Sequence, residues 1–255
     1  LHSFIAPTRF KAISDFERSA LMQLPWRNIG EKGFRTITKM KGWRNWVGAY
    51  DRGHDNSASQ AVQQIIGKML DSYESELGKA LDVTDVGSSA AYLSRDTGRE
   101  MVCVDIDQYS LMQGRFECEK LGLSNTYVRA SATQTGLNYG CMDTVVNAYT
   151  LFYLGQDGKR REIEYCAKET NRILRKGGRF YVALPFSVDG VLIERFNCGM
   201  EHYGFSLKQY LSPQQTKRPT MKSGAHIMEF EKVRDVWTIR KVEMSLYEGK
   251  TRFVG

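Results

Sequence analysis

The chain has 255 residues, of which 42% are hydrophobic and 25% are charged, and these proportions are typical of a globular protein with a buried core. No apolar run approaches the length of about 18 residues that a transmembrane helix needs, so none is predicted. The five cysteines are scattered without a C-x-x-C pair, which disfavours a disulfide framework and a zinc site. We therefore expect an intracellular, reducing compartment, either the cytoplasm or the mitochondrial matrix, and the basic start fits removal of an organellar presequence. The four histidines form no recognisable metal-binding or general-base pattern.

The positive charge is concentrated near the start of the chain. The net charge is +7, and residues 1–53 hold ten lysines and arginines against four acids, which gives +6 for this stretch alone. Residues 1–56 are also dense in aromatic side chains, which argues against a disordered tail. Basic and aromatic residues interleave in a pattern that could bind RNA through phosphate contacts and base stacking, at Lys39, Lys41, Trp43, Arg44 and Trp46. In the alternative interpretation the tryptophans pack against the rest of the chain and the charges face water, since aromatic side chains most often supply buried area.

Helix and strand patterns alternate along the middle of the chain. Apolar residues at helical spacing predict helices at 62–77, 107–122 and 160–176, and short apolar runs predict strands at 81–86, 101–105, 126–129, 143–149 and 179–184. The second of these helices should turn four side chains inward, namely Tyr109, Met112, Phe116 and Leu121. Gly177 and Gly178 are expected to end the third helix. This alternation predicts an α/β fold with a parallel sheet covered by helices on both faces.

The chain changes character after Pro185. A helix is predicted around 190–203, strands at 205–211 and 225–233, and a hairpin or strand pair over 237–253. We therefore divide the chain into three parts: a basic, aromatic-rich extension over 1–56, an α/β domain over 57–233, and a C-terminal extension over 234–255.

The stretch over residues 81–107 carries the strongest indication of function. The predicted first strand closes on Asp85-Val86-Gly87, small residues follow, and the second strand ends on Asp105. A small residue after a strand lets the backbone approach a ligand closely, and the start of a helix offers free N–H groups. An acid at the end of the next strand, about 20 residues further on, is placed to accept hydrogen bonds from a ribose. The stretch therefore predicts a nucleoside-binding site.

Four sequence motifs occur in a fixed order within about residues 62–233. They are Asp85-Val86-Gly87, Val104-Asp105, Asp143-Thr-Val-Val and Arg172-Ile-Leu-Arg-Lys-Gly-Gly178. In this order the motifs resemble those of the class I S-adenosylmethionine-dependent methyltransferases, in particular the type 11 group. The resemblance implies a Rossmann-like methyltransferase fold with a mostly parallel, seven-stranded sheet. Its last strand would be antiparallel, and 205–211 and 225–233 would supply the final two strands.

The resemblance also implies S-adenosylmethionine as the cofactor and a set of residues that would line its site. These residues are Asp85, Gly87, Ser89, Ala91, Asp105, Ile106, Ser131 and Ala132. The family loop G-x-G-x-G reads Gly87, Ser89, Ala91 here, so two side chains narrow the space for the methionine part of the cofactor. The end of the fourth strand loosely resembles the N-P-P-Y loop of amino-group methyltransferases, which makes Asn147 and Tyr149 candidates to orient an acceptor. Core packing of Tyr149 is an equally good interpretation.

Two functions fit these observations. One is an S-adenosylmethionine-dependent methyltransferase that acts on RNA, on an RNA-associated protein or on a small molecule. The other is a methyltransferase-fold protein that has lost cofactor binding and serves as a structural or assembly subunit of a ribonucleoprotein, such as a mitochondrial one, or of another large complex. An NAD-dependent dehydrogenase is disfavoured, because the loop at Gly87 lacks the G-x-G-x-x-G pattern that binds a pyrophosphate. The loop substitutions favour loss of cofactor binding, whereas the retained Asp105 favours the enzyme.

Overall fold

A computed structural model of the chain describes residues 57–71, 80–82, 89–106, 108–156, 160–217 and 224–236. The predicted N-terminal extension and the predicted hairpin over 237–253 lie outside the described residues. None of the described helices combines the length and the apolar character that a membrane span requires.

The described residues form one sheet of seven strands with the order β3-β2-β1-β4-β5-β7-β6. The strands are β1 (Ala80–Asp82), β2 (Met101–Asp105), β3 (Thr126–Arg129), β4 (Met142–Ala148), β5 (Leu174–Pro185), β6 (Phe205–Leu211) and β7 (Ala225–Lys232). The strands β1 to β5 pair in parallel, and β7 lies antiparallel between β5 and β6. The expectation of a Rossmann-like sheet with an antiparallel last strand is therefore confirmed.

Seven helices connect or flank these strands in the described part of the chain. They are α1 (Ser57–Asp71), α2 (Ser89–Thr97), α3 (Gln108–Lys120), α4 (Thr150–Gln156), α5 (Arg160–Ile173), α6 (Gly190–His202) and α7 (Pro213–Thr216). The sequence did not predict α4 or α7, because they have only seven and four residues and a helical pattern cannot repeat over so short a stretch.

The helix predicted over 160–176 ends earlier than expected. It ends at Ile173, and β5 begins at Leu174, three residues before the glycine pair. Leu174 pairs with Met142, and the pairing then shifts so that Thr144 lies opposite Arg179. Leu174 fits the apolar spacing of the predicted helix, but in the structure it is a fully buried residue of β5.

The helix predicted over 107–122 was expected to turn Leu121 inward, and that expectation was wrong. That helix ends at Lys120, and Leu121 lies in the following turn with 38% of its surface exposed. Met112 is buried as predicted. Gly122 has a φ of 67°, a left-handed conformation that glycine adopts without strain and that ends the helix after Lys120.

The core has two parts, one on each face of the sheet. Alternate residues of β5 point to opposite faces, so Phe180 and Leu184 pack with α4, α5 and α6, while Tyr181 and Ala183 pack with α1, α2 and α3. Both faces of the sheet are therefore covered, as the nearly continuous apolar content of β4 predicts.

A buried lysine joins distant parts of the chain at the end of β7. The Nζ of Lys232 donates to the carbonyl oxygen of Leu174 at 2.7 Å and lies 2.6 Å from the carboxylate of Asp235. The same ammonium lies 5.0 Å from the ring centroid of Tyr139, within the range of a cation–π contact. Its charge is thus paired and hydrogen-bonded, which is what a buried ammonium requires.

Candidate functional site

The strand order reverses at β1. The strand β1 lies between β2 and β4, so the chain runs outward from β1 in one direction to β3 and then returns to the other side at β4. In open α/β sheets, ligands bind outside the carboxyl ends of the strands at such a reversal. The parallel strands β1 to β5 end at this edge on Asp82, Asp105, Arg129, Ala148 and Pro185.

Four of the predicted cofactor residues come together at this edge. Asp105 is the half-buried last residue of β2, and its carbonyl oxygen accepts a hydrogen bond from the backbone N–H of Ala130 at 3.1 Å. Ile106 follows it, and Ser131 and Ala132 follow Ala130, all three half-buried. The backbone contact therefore brings the acid of β2 beside the turn that leaves β3.

The other predicted cofactor residues lie at or before the start of α2. Ser89 and Ala91 fall in the first turn of that helix. Asp85 and Gly87 lie outside the described residues, as do the five predicted RNA contacts of the N-terminal extension.

The turn that carries Ser131 and Ala132 is closed by its own polar groups. The hydroxyls of Ser131 and Thr133 are 2.8 Å apart, and the N–H of Thr133 donates to the Ser131 hydroxyl at 3.2 Å. The N–H of Gln134 donates to the carbonyl oxygen of Ser131 at 3.0 Å. The turn is therefore compact, and it places Ala132 at its corner.

The chain that follows this turn crosses to β4 without forming a helix. Its anchor is Glu169 of α5, whose carboxylate accepts hydrogen bonds from the N–H and the hydroxyl of Thr135 at 2.7 and 2.5 Å. Arg172 pairs with the same carboxylate at 2.7 Å and donates to the carbonyl oxygen of Leu137 at 2.7 Å. Burial raises the pKa of Glu169, but the hydrogen bonds from Arg172 and Thr135 outweigh it, so the pKa lies below its ordinary value. The sequence motif contained Arg172, but nothing in it indicated Glu169 or Thr135.

Asn147, a predicted acceptor contact, is buried with 1% of its surface exposed. Its side-chain oxygen accepts from the N–H of Leu151 at 3.0 Å, and its amide nitrogen lies 3.8 Å from the sulfur of Cys166. Asn147 therefore holds the first turn of α4 against β4. A direct contact between this amide and an acceptor stays a prediction.

Tyr149, the other predicted acceptor contact, turns the chain from β4 into α4. Its φ is 69°, and it is the only non-glycine with a positive φ among the residues that the structure describes. Its N–H donates to the carbonyl oxygen of Ala183 at 2.9 Å, and its half-buried ring packs against the core. A strained backbone of this kind persists where the surrounding structure enforces it, and such positions cluster at functional sites.

Aromatic side chains also lie at this end of the strands beyond β4. Phe186 follows the last residue of β5 and has 57% of its surface exposed. Farther along, the hydroxyl of Tyr210 near the end of β6 lies 2.8 Å from Nδ1 of His226 near the start of β7. Burial lowers the pKa of His226, and hydrogen bonds with the backbone of Val188 and Phe186 raise it by less, so the pKa lies below its ordinary value. His226 thus lies at the same edge as Tyr149, and its burial favours the neutral imidazole.

The described residues contain no cluster of three or more histidine, cysteine, aspartate or glutamate side chains that could hold a metal ion. All five cysteines are free thiols, and Cys103 and Cys166 are fully buried.

Residues 81–182 match the family profile described as a methyltransferase domain. A S-adenosylmethionine-dependent methyltransferase from Aquifex aeolicus is similar in structure, with 14% identity, a TM-score of 0.56, and coverage of 72% of this chain and 98% of that chain. The 1,6-didemethyltoxoflavin-N1-methyltransferase from Burkholderia thailandensis, solved with 1,6-didemethyltoxoflavin and S-adenosylhomocysteine, has 14% identity and a TM-score of 0.55, over 87% of this chain and 91% of that chain. The [4+2]-cyclase SpnF has 15% identity and a TM-score of 0.52, over 69% of this chain and 83% of that chain.

No curated protein sequence matches the chain. At these identities the structural likenesses show the fold, and the family match covers the strands from β1 into β5, where the sequence motifs lie. The resemblance seen in the sequence is therefore confirmed over residues 81–182, which match the methyltransferase-domain profile, and the solved structures of similar fold include S-adenosylmethionine-dependent methyltransferases.

Proposed function

We propose that this protein transfers the methyl group of S-adenosylmethionine to an acceptor, with the cofactor lying across the carboxyl ends of β1 and β2. The observation that carries this proposal is the position of Asp105. It ends the strand next to β1, is half-buried, and lies beside the reversal of the sheet within the matched domain.

The residues at this edge fit such a cofactor. The carboxylate of Asp105 would accept hydrogen bonds from the ribose hydroxyls, as an acid at the end of the second strand does in nucleoside-binding sheets. Ile106, Ser131 and Ala132 would border the adenine, and Ala132 stands at the corner of a compact turn. Asp85 and Gly87, with the small residues Ser89 and Ala91, would line the methionine part.

The cofactor supplies a methyl group that its sulfonium already activates, so alignment of the acceptor is the main task left to the protein. Tyr149 and Phe186 are placed for that task, because they follow the neighbouring strands β4 and β5 at the same edge. Asn147 would act by holding the turn that presents Tyr149.

For the acceptor we propose RNA or an RNA-associated protein. The support is the +6 charge of residues 1–53 and the interleaved Lys39, Lys41, Trp43, Arg44 and Trp46. Positive charge supplies phosphate contacts and tryptophan supplies base stacking, so the two together suit a nucleic acid better than a small molecule.

The alternative is a methyltransferase-fold subunit without catalysis. Ser89 and Ala91 favour it, because they replace two glycines of the family loop in the first turn of α2. The fold itself is not restricted to methyl transfer, as the similarity to a cyclase shows. The two functions differ in whether the chain binds the cofactor.

Calorimetric titration with S-adenosylmethionine and with S-adenosylhomocysteine tests the proposal. We expect both to bind, and we expect Asp105→Ala to weaken binding by about 1.5–3 kcal/mol, since it removes hydrogen bonds to a charged group. Asp96→Ala is the matched control, because Asp96 lies on α2 with an exposed partner, Arg95. Absence of binding by the wild-type protein would contradict the proposal and favour the structural subunit.

A further inference from the structure

We propose that Glu169 and Arg172 of α5 are positioning residues for the cofactor. They hold the turn over residues 131–134 beside the carboxyl end of β2, where the adenine would lie. The inference rests on the proposed function, and it assigns a role to the ion pair between the buried Glu169 and the partly exposed Arg172, which lies outside the predicted site.

The crossover from β3 to β4 explains why this turn needs an external support. Residues 130–141, all of which the structure describes, contain no helix, although parallel strands are usually joined by one. Outside the turn over residues 131–134, an irregular segment of this kind has no repeating backbone ladder to pair its N–H and C=O groups, and buried backbone groups left unpaired are costly. Side chains of α5 therefore supply hydrogen bonds to the backbone of the crossover, which a crossover helix would form within itself.

Glu169 supplies the central support. Thr135 has 2% of its surface exposed, and both its N–H and its hydroxyl donate to Oε1 of Glu169. The N–H of Leu137 donates in turn to the Thr135 hydroxyl at 3.2 Å. One carboxylate oxygen thus fixes Thr135 directly and Leu137 through the Thr135 hydroxyl.

Arg172 makes this buried carboxylate tolerable. Its Nε donates to Oε2 of Glu169 and its Nη2 to Oε1, both at 2.7 Å, which is a bidentate pair. The same Nη2 reaches the carbonyl oxygen of Leu137, and the carbonyl oxygen of Arg172 accepts from the N–H of Gly140 at 2.9 Å. The pair therefore supports the crossover from Thr135 to Gly140.

The turn over residues 131–134 lies between two fixed points. On one side Ala130 donates to the carbonyl oxygen of Asp105, and on the other side Thr135 is held by Glu169. Only four residues separate these points, so release of Thr135 would let Ser131 and Ala132 move away from Asp105. The distance between the ribose acid and the adenine side of the site thus depends on an ion pair on the neighbouring helix.

The variants Glu169→Gln and Thr135→Val test this role. Glutamine keeps an oxygen for Thr135 but faces Arg172 with an amide, and valine keeps the shape of threonine without its hydroxyl. Asp143→Asn is the matched control, because Asp143 is a buried carboxylate paired with Arg175. It lies at the amino end of β4, whereas the proposed cofactor site lies at the carboxyl ends of the strands. Three quantities are measured for each variant: amide hydrogen exchange over residues 130–141, affinity for S-adenosylhomocysteine, and melting temperature.

We expect Glu169→Gln and Thr135→Val to speed exchange over the crossover and to weaken the affinity about tenfold, the effect of losing one hydrogen bond to a charged group. Asp143→Asn should lower the melting temperature comparably and change neither the exchange over 130–141 nor the affinity. Unchanged exchange in Glu169→Gln, unchanged affinity, or equal loss of affinity in Asp143→Asn would each overturn the positioning role. A wild-type protein that binds no S-adenosylhomocysteine would instead overturn the proposed function, and this role with it.

Discussion

The rings of Tyr210 and His226 stack at the edge where β6 ends and β7 begins. Their centroids are 5.9 Å apart, their planes differ by 15°, and the hydroxyl lies 2.8 Å from Nδ1. The histidine has 5% of its surface exposed, whereas the tyrosine ring is 38% exposed. The tyrosine therefore covers the imidazole and helps to keep it out of water, which is why the neutral form is favoured there.

The first prediction concerns the pH dependence of stability. The pKa of His226 is lowered in the folded state, whereas an unfolded histidine titrates near about 6.5. As the pH falls below that value, the unfolded state takes up the proton first, so the free energy of unfolding should decrease. Urea unfolding across the range from about pH 5 to about pH 7.5 measures this, and His226→Gln should remove that part of the slope.

Tyr210→Phe is the control for this first prediction. It removes a hydroxyl and should cost about 1 kcal/mol, but it leaves the buried imidazole in place and hence the pH slope. An identical slope in the wild type and in His226→Gln would show that other groups cause the pH dependence.

The second prediction concerns the loop that departs from the family pattern. Ser89→Gly with Ala91→Gly should tighten the binding of S-adenosylhomocysteine, because glycine allows the closest approach of a ligand to the backbone. Both positions lie in the first turn of α2, so the double variant should also be less stable by about 1–2 kcal/mol. Calorimetry and thermal unfolding measure the two effects separately, and weaker binding in the double variant would contradict the expectation.

The third prediction isolates the backbone strain at Tyr149. Tyr149→Ala and Tyr149→Gly both remove the ring, and they differ only in whether the backbone can adopt a φ of 69° without a steric penalty. The glycine variant should therefore be the more stable by about 1 kcal/mol, the reverse of the usual order of these residues. Chemical denaturation of the two variants measures the difference, and a more stable alanine variant would mean that the turn relaxes.

The fourth prediction concerns RNA binding by the N-terminal extension. Affinity should fall steeply with salt, because phosphate neutralisation releases counterions. Trp43→Ala and Trp46→Ala should each cost about 1–3 kcal/mol while the salt slope stays unchanged, whereas Lys39→Ala should reduce that slope. Fluorescence anisotropy at several salt concentrations measures both. Tryptophan variants that lower the melting temperature and leave RNA affinity intact would favour packing of this segment against the rest of the chain.

The sequence predicted the sheet better than it predicted the ends of the helices. Short apolar runs bounded by polar residues place β2, β3 and β6 at the predicted residues, since a buried strand needs little beyond such a run. Leu174 was assigned to a helix because periodicity cannot distinguish a buried helical position from the start of a buried strand. The pairing of β5 with β4 decides between them, and that pairing is a property of the tertiary structure.

The sequence likewise predicted only those residues of the candidate site that belong to a local pattern. Asp105 was found because its role depends on a local pattern of strand, turn and acid. Glu169 and Thr135 are 34 residues apart and meet only once the crossover lies on α5, so no local pattern could indicate them. The burial of Asn147 was equally hidden, because the helix whose N–H it accepts was not predicted.

The buried ammonium of Lys232 has a consequence for the rates of folding and unfolding. Its contact with Asp235 is local, but its contacts with Tyr139, in the crossover before β4, and with Leu174, at the start of β5, require these distant segments to have met β7. We expect these two long-range contacts to form after the rate-limiting step of folding, and the loss of such contacts appears in the unfolding rate. Lys232→Met should therefore unfold about tenfold faster in stopped-flow experiments while refolding at the wild-type rate, which makes this one lysine a determinant of how long the folded state lasts.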